Sequence, residues 1–440
     1  MVNKNRGTGV PAVLPYRAVL DGGRQRAAAA TLTGNEMNMK RMIRFFAAAC
    51  VFLAASSAAW AAGGERAETL DLRTIEGNVV SLSKDALVLA VGGKSQSVPV
   101  ADLESVFLRD AEDLSARTGA WVVQTAAGDL LVVDKLSASD GKVRFASAMI
   151  GDVELPYASV SCVYLPGSGQ TVGANQKRVA EVPAPGKPTD MLIVDQGKEY
   201  IGIEGVLVSV QDLKVTFRMG TEDRQIETRH VKAIRLATAG PASAAAPAGR
   251  LLCADGSELP FSAVTLEGEK LSLASPSVGT VTVLRKNVAA IRFTSGRATA
   301  LSSLTPAEVE EHGLFDMKFP HRKDRSVGGG PLVLAGKTYA SGIGMNSFTQ
   351  LTYKIEGQYK TFVAVVGIDD SARPQGNATL TFLGDGKELA KPLTLTGKDA
   401  PQPVRLDLSG VKSFIIRVDF GPDNLPVGDH VDLCSARLIK

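Results

Sequence analysis

Catalytic signatures are the first thing this 440-residue chain lacks. It holds no His-Glu-x-x-His, no Gly-x-Ser-x-Gly and no Cys/His cluster, and only four histidines in total. An enzyme is therefore not expected. Aromatic residues make up 5% of the chain, with two tryptophans, one of which (Trp60) lies in a leader-like stretch. A sugar site built from several stacked indole rings is disfavoured by that scarcity. Cysteines number four, at 50, 162, 253 and 434, with no Cys-x-x-Cys spacing. Too few apolar residues precede Cys50 for a lipoprotein signal, and the other three cannot all pair internally. Small buried hydrophobes are the expected role for them. Charge of one sign is also missing: 49 basic against 46 acidic residues leave a net +3, so no nucleic-acid partner is expected. Gly328-Gly-Gly lacks the Lys-Ser/Thr of a phosphate cradle, and Arg322, Lys323 and Arg325 around Asp324 read as a solvated loop.

What is present is a globular balance, 45% hydrophobic and 22% charged, long enough for about two to four domains. Lys40, Arg41 and Arg44 precede the apolar stretch Phe45 to Ala55, and Ala59-Trp60-Ala61 fits a small-x-small cleavage site. Residues 37–61 thus read as a signal peptide, with a mature chain from Ala62 and a secreted, periplasmic or cell-envelope location. Left uncleaved, the segment would be a membrane anchor. Residues 1–36 read as an upstream extension, the true start being Met37, Met39 or Met42.

From Thr69 to Phe293 a degenerate repeat runs through the chain. Its mark is a strand with apolar residues spaced three and then two apart: Leu103, Val106, Leu108; Val160, Val163, Leu165; Val231, Ile234, Leu236; Val288, Ile291, Phe293. A further strand precedes each, and period-two pairs such as Asn78 to Leu82 with Ala86 to Val91 lie upstream. The spacing predicts repeats 1 and 2 over 66–166, repeat 3 over 189–237 and repeat 4 over 250–298. Each suits a small SH3-like or Sm-like β-barrel, packed in pairs or in a row. Residues 167–188 and 238–249, rich in Pro, Gly and Ala, read as flexible linkers. Thr305-Pro-Ala-Glu-Val-Glu offers an N-cap and a helix-starting proline, so a short helical turn is expected there.

Beyond Leu332 the pattern is continuous β: Phe348 to Ile355, Tyr359 to Ile368, Asn377 to Leu383, Lys391 to Leu395, Val404 to Leu408, Ser413 to Phe420 and Val431 to Ile439. The chain is predicted to be all-β, a row of small barrels followed by a jelly-roll β-sandwich over 301–440. Three phrases punctuate these strands. They are Gly-Lys-Thr-Tyr-Ala-Ser-Gly-Ile-Gly-Met-Asn-Ser from Gly336, Val-Gly-Ile-Asp-Asp from Val366, and Gly-Asp-His-Val-Asp-Leu-Cys-Ser-Ala-Arg-Leu-Ile from Gly428. In this order they resemble the NPCBM/NEW2 family of carbohydrate-binding modules of secreted bacterial proteins. The lead-in from Phe315 to Leu332 is similar to the segment preceding the module in planctomycete-type proteins. The resemblance implies a sugar-binding sandwich. In two places the chain departs from the family: Asn346 stands where a His is usual in Gly344-Met345-Asn346-Ser347, and Leu433 where a Trp is usual.

Candidate ligand residues gather at the same phrases. Asp369 and Asp370, at a turn after an apolar strand, could accept sugar hydroxyls, coordinate a structural calcium, or cap the loop as an Asx-turn. Arg373 in that loop could complete a polar cluster. Asp429, His430 and Asp432 sit at the start of the last strand, where His430 could donate to a ligand or tie the strand down. Asn346 offers both a donor and an acceptor. Adjacent Asp369 and Asp370 do not by themselves meet the opposed geometry of a glycosidase pair. The sequence thus predicts a non-enzymatic protein that attaches to a glycan or cell-envelope polysaccharide, its β repeats a scaffold open to protein partners. The competing expectations are a structural or protein-interaction module whose sandwich has lost its sugar site, and an accessory chain of a hydrolase complex.

Overall fold

The structure, a computed structural model, describes residues 64–167, 169–237, 246–313 and 319–440. The signal segment, the upstream extension, most of the 238–249 linker and part of the lead-in from Phe315 lie outside the described residues. Within the described residues there is one α-helix, and it is not long and apolar enough to cross a membrane; all other regular structure is antiparallel β or single 3-10 turns.

Each repeat is a run of strands closed by a 3-10 turn and a final strand: Val100–Asp102 then Leu103–Phe107, Tyr157–Ser159 then Val160–Tyr164, Thr228–His230 then Val231–Arg235, and Arg285–Asn287 then Val288–Phe293. The three-then-two spacing has a specific cause. In every repeat the final strand pairs with the first, and the register slips by one residue just after the first apolar position, at Glu104, Ser161, Lys232 and Ala289. A bulge resets the inward face, so residues three apart both point into the core. Val160, Val163 and Leu165, for instance, are each buried in it.

The repeats do not form a row of separate closed barrels. Strand Leu103–Phe107 of the first pairs with Val288–Phe293 of the fourth, and Val160–Tyr164 of the second pairs with Val231–Arg235 of the third. Pairing is therefore nested, first with fourth and second with third. A strand that would be an open edge in an isolated unit is satisfied by its counterpart in another, which merges the strands into one 17-stranded network. One apolar cluster fills all four repeats, from Ala67 to Ile291. The two pairs meet through a bridge from Glu258 to Leu130 and through hydrogen bonds such as Val132 N to Ser257 Oγ at 2.9 Å.

The 167–188 segment is not a flexible spacer. Val172–Glu181 is an α-helix, capped where the Thr171 hydroxyl accepts from Ala174 N at 3.2 Å. Its Val179 packs with Val182, Met191, Ile193 and Tyr200. Asn175 is fully buried, donating to Lys232 O at 3.0 Å and accepting from Tyr200 Oη at 3.0 Å, while the Arg178 guanidinium lies 3.7 Å from the Tyr200 ring centre. Thr171→Ala should remove the cap and destabilise the helix by about 1 kcal/mol, read as faster amide exchange in its first turn.

The C-terminal part is a sandwich of two antiparallel sheets. The first orders Arg322–Lys323, Gly342–Met345, Val431–Ile439, Thr361–Ile368 and Gln402–Asp407, with Ala298–Ala300 also on the last strand of the chain. The second orders Glu308–Glu311, Thr349–Lys354, Ser413–Phe420, Asn377–Gly384 and Lys387–Glu388, with Leu393–Thr396 beside Asn377–Gly384. Phe362 of the first sheet meets Phe414 and Phe382 of the second with ring centres 5.0 and 5.5 Å apart. Residues 305–310 do not form the expected helical turn. Their backbone is drawn into the edge strand Glu308–Glu311, paired with Thr349–Lys354, and the 3-10 turn nearby among the described residues is Leu301–Ser303.

The sandwich seats on the first repeat. Leu70, Val363 and Ile439 form a shared apolar patch, rimmed by Arg405–Asp71 at 2.6 Å, Arg297–Asp102 at 2.6 Å and Arg437–Glu104 at 2.9 Å. The three cysteines described are free and buried.

Candidate functional site

The last strand, Val431–Ile439, lies between Gly342–Met345 and Thr361–Ile368. Asp432 faces Gly344 on one side and Gly367 on the other. That register carries all three sequence phrases to one end of one sheet. Asn346 and Ser347 leave the first strand there, Asp369 and Asp370 leave the second, and Asp429 and His430 enter the third. Asp369 N donates to His430 O at 2.8 Å, which ties two of the turns together.

Convergence does not mean exposure. Asn346, Asp369, Asp429 and Asp432 are 3, 2, 0 and 0% exposed. Their bonds are mostly internal. Asp369 accepts from Val333 N at 3.2 Å, Ser371 N at 3.0 Å and the Ser371 hydroxyl. Asp370 accepts from Ala335 N at 2.9 Å and Gly336 N at 2.6 Å, clamping the hairpin of Leu332–Leu334 and Lys337–Tyr339. Asp429 accepts from the Ser347 hydroxyl at 2.5 Å and Asn377 N at 2.8 Å, holding three loops in register. The oxygens of Asp369 and Asp370 that calcium would need are thus engaged with backbone N–H groups. Among the described residues no group of three or more His, Cys, Asp or Glu is placed to hold a metal.

Two members of this set keep unpartnered oxygens: Asn346, whose Nδ2 donates to Ser347 O at 2.8 Å while its Oδ1 has no donor, and Asp432. Neither oxygen of Asp432 finds a donor, and its neighbour is another carboxylate, Asp369. Burial first, and then Asp369 beside it, push the Asp432 carboxyl up to about 9. Burial also works to raise Asp369, but hydrogen bonds from Asp432, Ser371 and Val333 outweigh it and hold that carboxyl below its ordinary value. The pair therefore carries one proton, on Asp432, which turns two facing acceptors into an O–H···O bond. Burial likewise raises Asp429, against the bonds from Asn377 and Ser347.

Leu433 is wholly buried in the sandwich core, beside Val431 and Leu438. Its position faces the interior, so the Leu433 side chain serves packing and not a ligand-facing surface. What the loop end leaves accessible is different. Arg373 is half-buried and its side chain has no hydrogen bond or ion pair among the described residues. His430 is half-buried; its Nδ1 is itself buried and has no partner among the described residues, so only the rest of the ring is accessible. Leu425 and Val427, which sequence reasoning missed, are 52 and 58% exposed on the loop before Asp429. The Arg373 loop packs against that loop: a Cβ on Gly376 would stand 2.3 Å from Gly428 O. Leu425-Pro-Val inside a Gly-Pro-Asp-Asn loop is apolar where polar turn residues are the rule, and that was the available signal. Apart from this end, a groove of about 700 Å³ lies in the second and third repeats, lined by Arg144, Asp152, Glu154 and Asp212 among others. Arg144 there is paired with Glu154 at 2.7 Å.

The architecture defines a two-sheet β-sandwich module with its polar residues collected at one loop end and a β-repeat block behind it. Residues 297–439 match the model of the NPCBM/NEW2 domain. The chain is similar to a Renibacterium salmoninarum protein named endo-alpha-N-acetylgalactosaminidase, at 34% identity over 105 residues. That match takes in 22% of this chain and spans only 7% of that protein's length. Among solved structures, the CBM51 of a Clostridium perfringens GH95 protein in complex with methyl-galactose is similar at 22% identity and a TM-score of 0.29, over 32% of this chain and 99% of that one. The CBM51-2 and INT domains of Clostridium perfringens ZmpB, in complex with GlcNAc, align at 23% identity and a TM-score of 0.30, over 40% of this chain and 38% of that one.

Proposed function

We propose that the chain is a non-enzymatic, secreted or periplasmic carbohydrate-binding protein. Its C-terminal sandwich, arranged as a jelly roll, recognises a glycan or cell-envelope polysaccharide, and the repeat block holds it in place as a scaffold. The match of residues 297–439 to the NPCBM/NEW2 domain is the observation that carries this reading. Within this reading the contact surface lies beside the loop-holding aspartates. Asp369, Asp370 and Asp429 hold the loops, and the ligand meets Arg373 and His430 with Leu425 and Val427 as the apolar part. A sugar presents hydroxyls at its rim and C–H groups on its faces, which suits a free guanidinium beside aliphatic side chains.

A protein-interaction role is the second reading. It is favoured by the exposure of two aliphatic residues with no aromatic ring beside them on that loop. Isothermal titration of the full chain against galactose-, N-acetylgalactosamine- and N-acetylglucosamine-containing oligosaccharides, with and without calcium, separates the two. Arg373→Ala should weaken binding at least tenfold, about 1.4 kcal/mol, with the melting temperature unchanged. Absence of binding to every sugar at millimolar concentration, or an unaltered affinity in Arg373→Ala, would remove the first reading.

A further inference from the structure

Besides the three-residue strand Thr74–Glu76, four strands of the repeat block are paired on one side only among the described strands: Lys94–Pro99, Gly151–Pro156, Glu222–Glu227 and Gly279–Leu284. Open edges invite pairing with another chain, and natural proteins guard them with charge, proline or bulges. Three of these edges are guarded in that way. Lys-Ser-Gln-Ser-Val-Pro has a lysine and a proline, Gly-Asp-Val-Glu-Leu-Pro two acids and a proline, and Glu-Asp-Arg-Gln-Ile-Glu four charges. The fourth is Gly-Thr-Val-Thr-Val-Leu, with neither charge nor proline. Its Thr280 and Thr282 are exposed and Leu284 is 44% exposed. It is the outermost strand of a six-stranded sheet built by the first and fourth repeats.

We propose that Gly279–Leu284 is a self-association edge, and that its partner is the same strand of a second copy, added antiparallel about a two-fold axis. Two observations select a second copy over a foreign strand. First, the chain already builds itself this way: equivalent final strands of two repeats pair antiparallel at both joints inside the block. Secondly, the strand is self-complementary. A two-fold through Thr282 sets Thr282 against itself, Thr280 against Leu284 and Val281 against Val283. No like charges oppose each other, and Thr–Thr and β-branched pairs are favourable cross-strand neighbours. Glu65 pairs with Arg285 just beyond the strand at 2.6 Å, which removes one flanking charge from the joint. Six residues of backbone pairing cover less than a standard interface, so the dimer forms and dissociates with concentration. Where the sandwich holds a repeating polysaccharide, two copies joined here present two sites at once, and avidity rises without a new contact.

Sedimentation velocity of the full chain over a hundredfold concentration range tests this. The unaltered protein should pass from one to two protomers in mass. Thr280→Lys with Thr282→Lys should stay a monomer throughout, with its far-ultraviolet circular dichroism unchanged. Ser95→Lys, an exposed position on the already charged edge, should dimerise as the unaltered protein does. Should the double variant misfold, Thr282→Lys alone carries the comparison. A protein that is monomeric at every concentration, or a dimer that survives the lysines, overturns the proposal.

Discussion

Asp432→Asn should raise the stability of the protein at alkaline pH, although it alters a fully buried residue in the last strand. The native Asp432 carboxyl is held protonated up to about 9 by burial and by Asp369, while in the unfolded chain it ionises near the ordinary carboxylate value. Its folded-state value is thus raised. The stability it contributes is fully present below the unfolded value and is lost steadily as pH climbs through neutrality toward about 9. Asparagine needs no proton: its amide can donate to Asp369 as the carboxyl O–H does. We expect a gain on the order of 2–4 kcal/mol at pH 8.5, and little change at pH 4.5. Asp369→Asn should act in the opposite direction. Asp369 is depressed, so its contribution is present above the unfolded carboxylate value and is lost only in acid. An amide there would turn a donor toward Val333 N or Ser371 N, destabilising by on the order of 1–3 kcal/mol at neutral pH. Thermal melts of the three proteins between pH 4.5 and 9 are the check. A D432N protein less stable than the unaltered one at pH 8.5, or one with the same pH slope, would show that the pair does not share a proton.

The strands of the sandwich were legible because they alternate between turn residues. Ser413–Phe420 and Val431–Ile439 lie where their periodicity places them. The convergence of Asn346, Asp369 and Asp429 was legible in outline too, since each flanks a strand. Their burial was not. An aspartate beside a strand end looks the same in sequence whether it meets water or a neighbouring loop's N–H, and only the cross-loop bonds to Val333, Ser347 and Asn377 decide it. The repeats were readable as repeats, but their partners were not, because pairing of the first with the fourth joins residues far apart in sequence. Helix Val172–Glu181 was hidden by its Gly- and Pro-rich flanks. The cue was local: Thr171 as N-cap, then Val172, Asn175 and Val179 on one buried face.

The nested arrangement leaves a buried carboxylate among the side chains that join the two repeat pairs, and Asp129→Ala should show its share. Asp129 sits in the turn between Trp121–Thr125 and Leu130–Val133 of the second repeat and is fully buried. Its carboxylate accepts from Thr125 in its own repeat and from Ser275 (3.2 Å) and Ser277 of the fourth. Within each repeat pair the joint is a backbone ladder between whole strands, which no single side chain can undo. Between the pairs the described strands share one bridge, Glu258 with Leu130. Around it stand side-chain bonds: Ser257 Oγ to Val132 N, Arg250 to Gly128 O at 3.0 Å, and Arg117 to Asp255 O at 3.0 Å. Alanine at 129 would take the carboxylate acceptor from the buried Thr125 and Ser275 hydroxyls and leave the half-buried Ser277 with Ser275 alone at 3.1 Å, and each unsatisfied buried donor destabilises by about 1–3 kcal/mol. We expect a loss on the order of 3–5 kcal/mol, with asparagine, which keeps one acceptor, losing less. Hydrogen exchange should place the damage at Leu130–Val133 and Glu258–Phe261, while the final-strand joints keep their protection. A loss below about 1 kcal/mol, or protection lost evenly through the block, would mean the pairs are held by apolar packing alone.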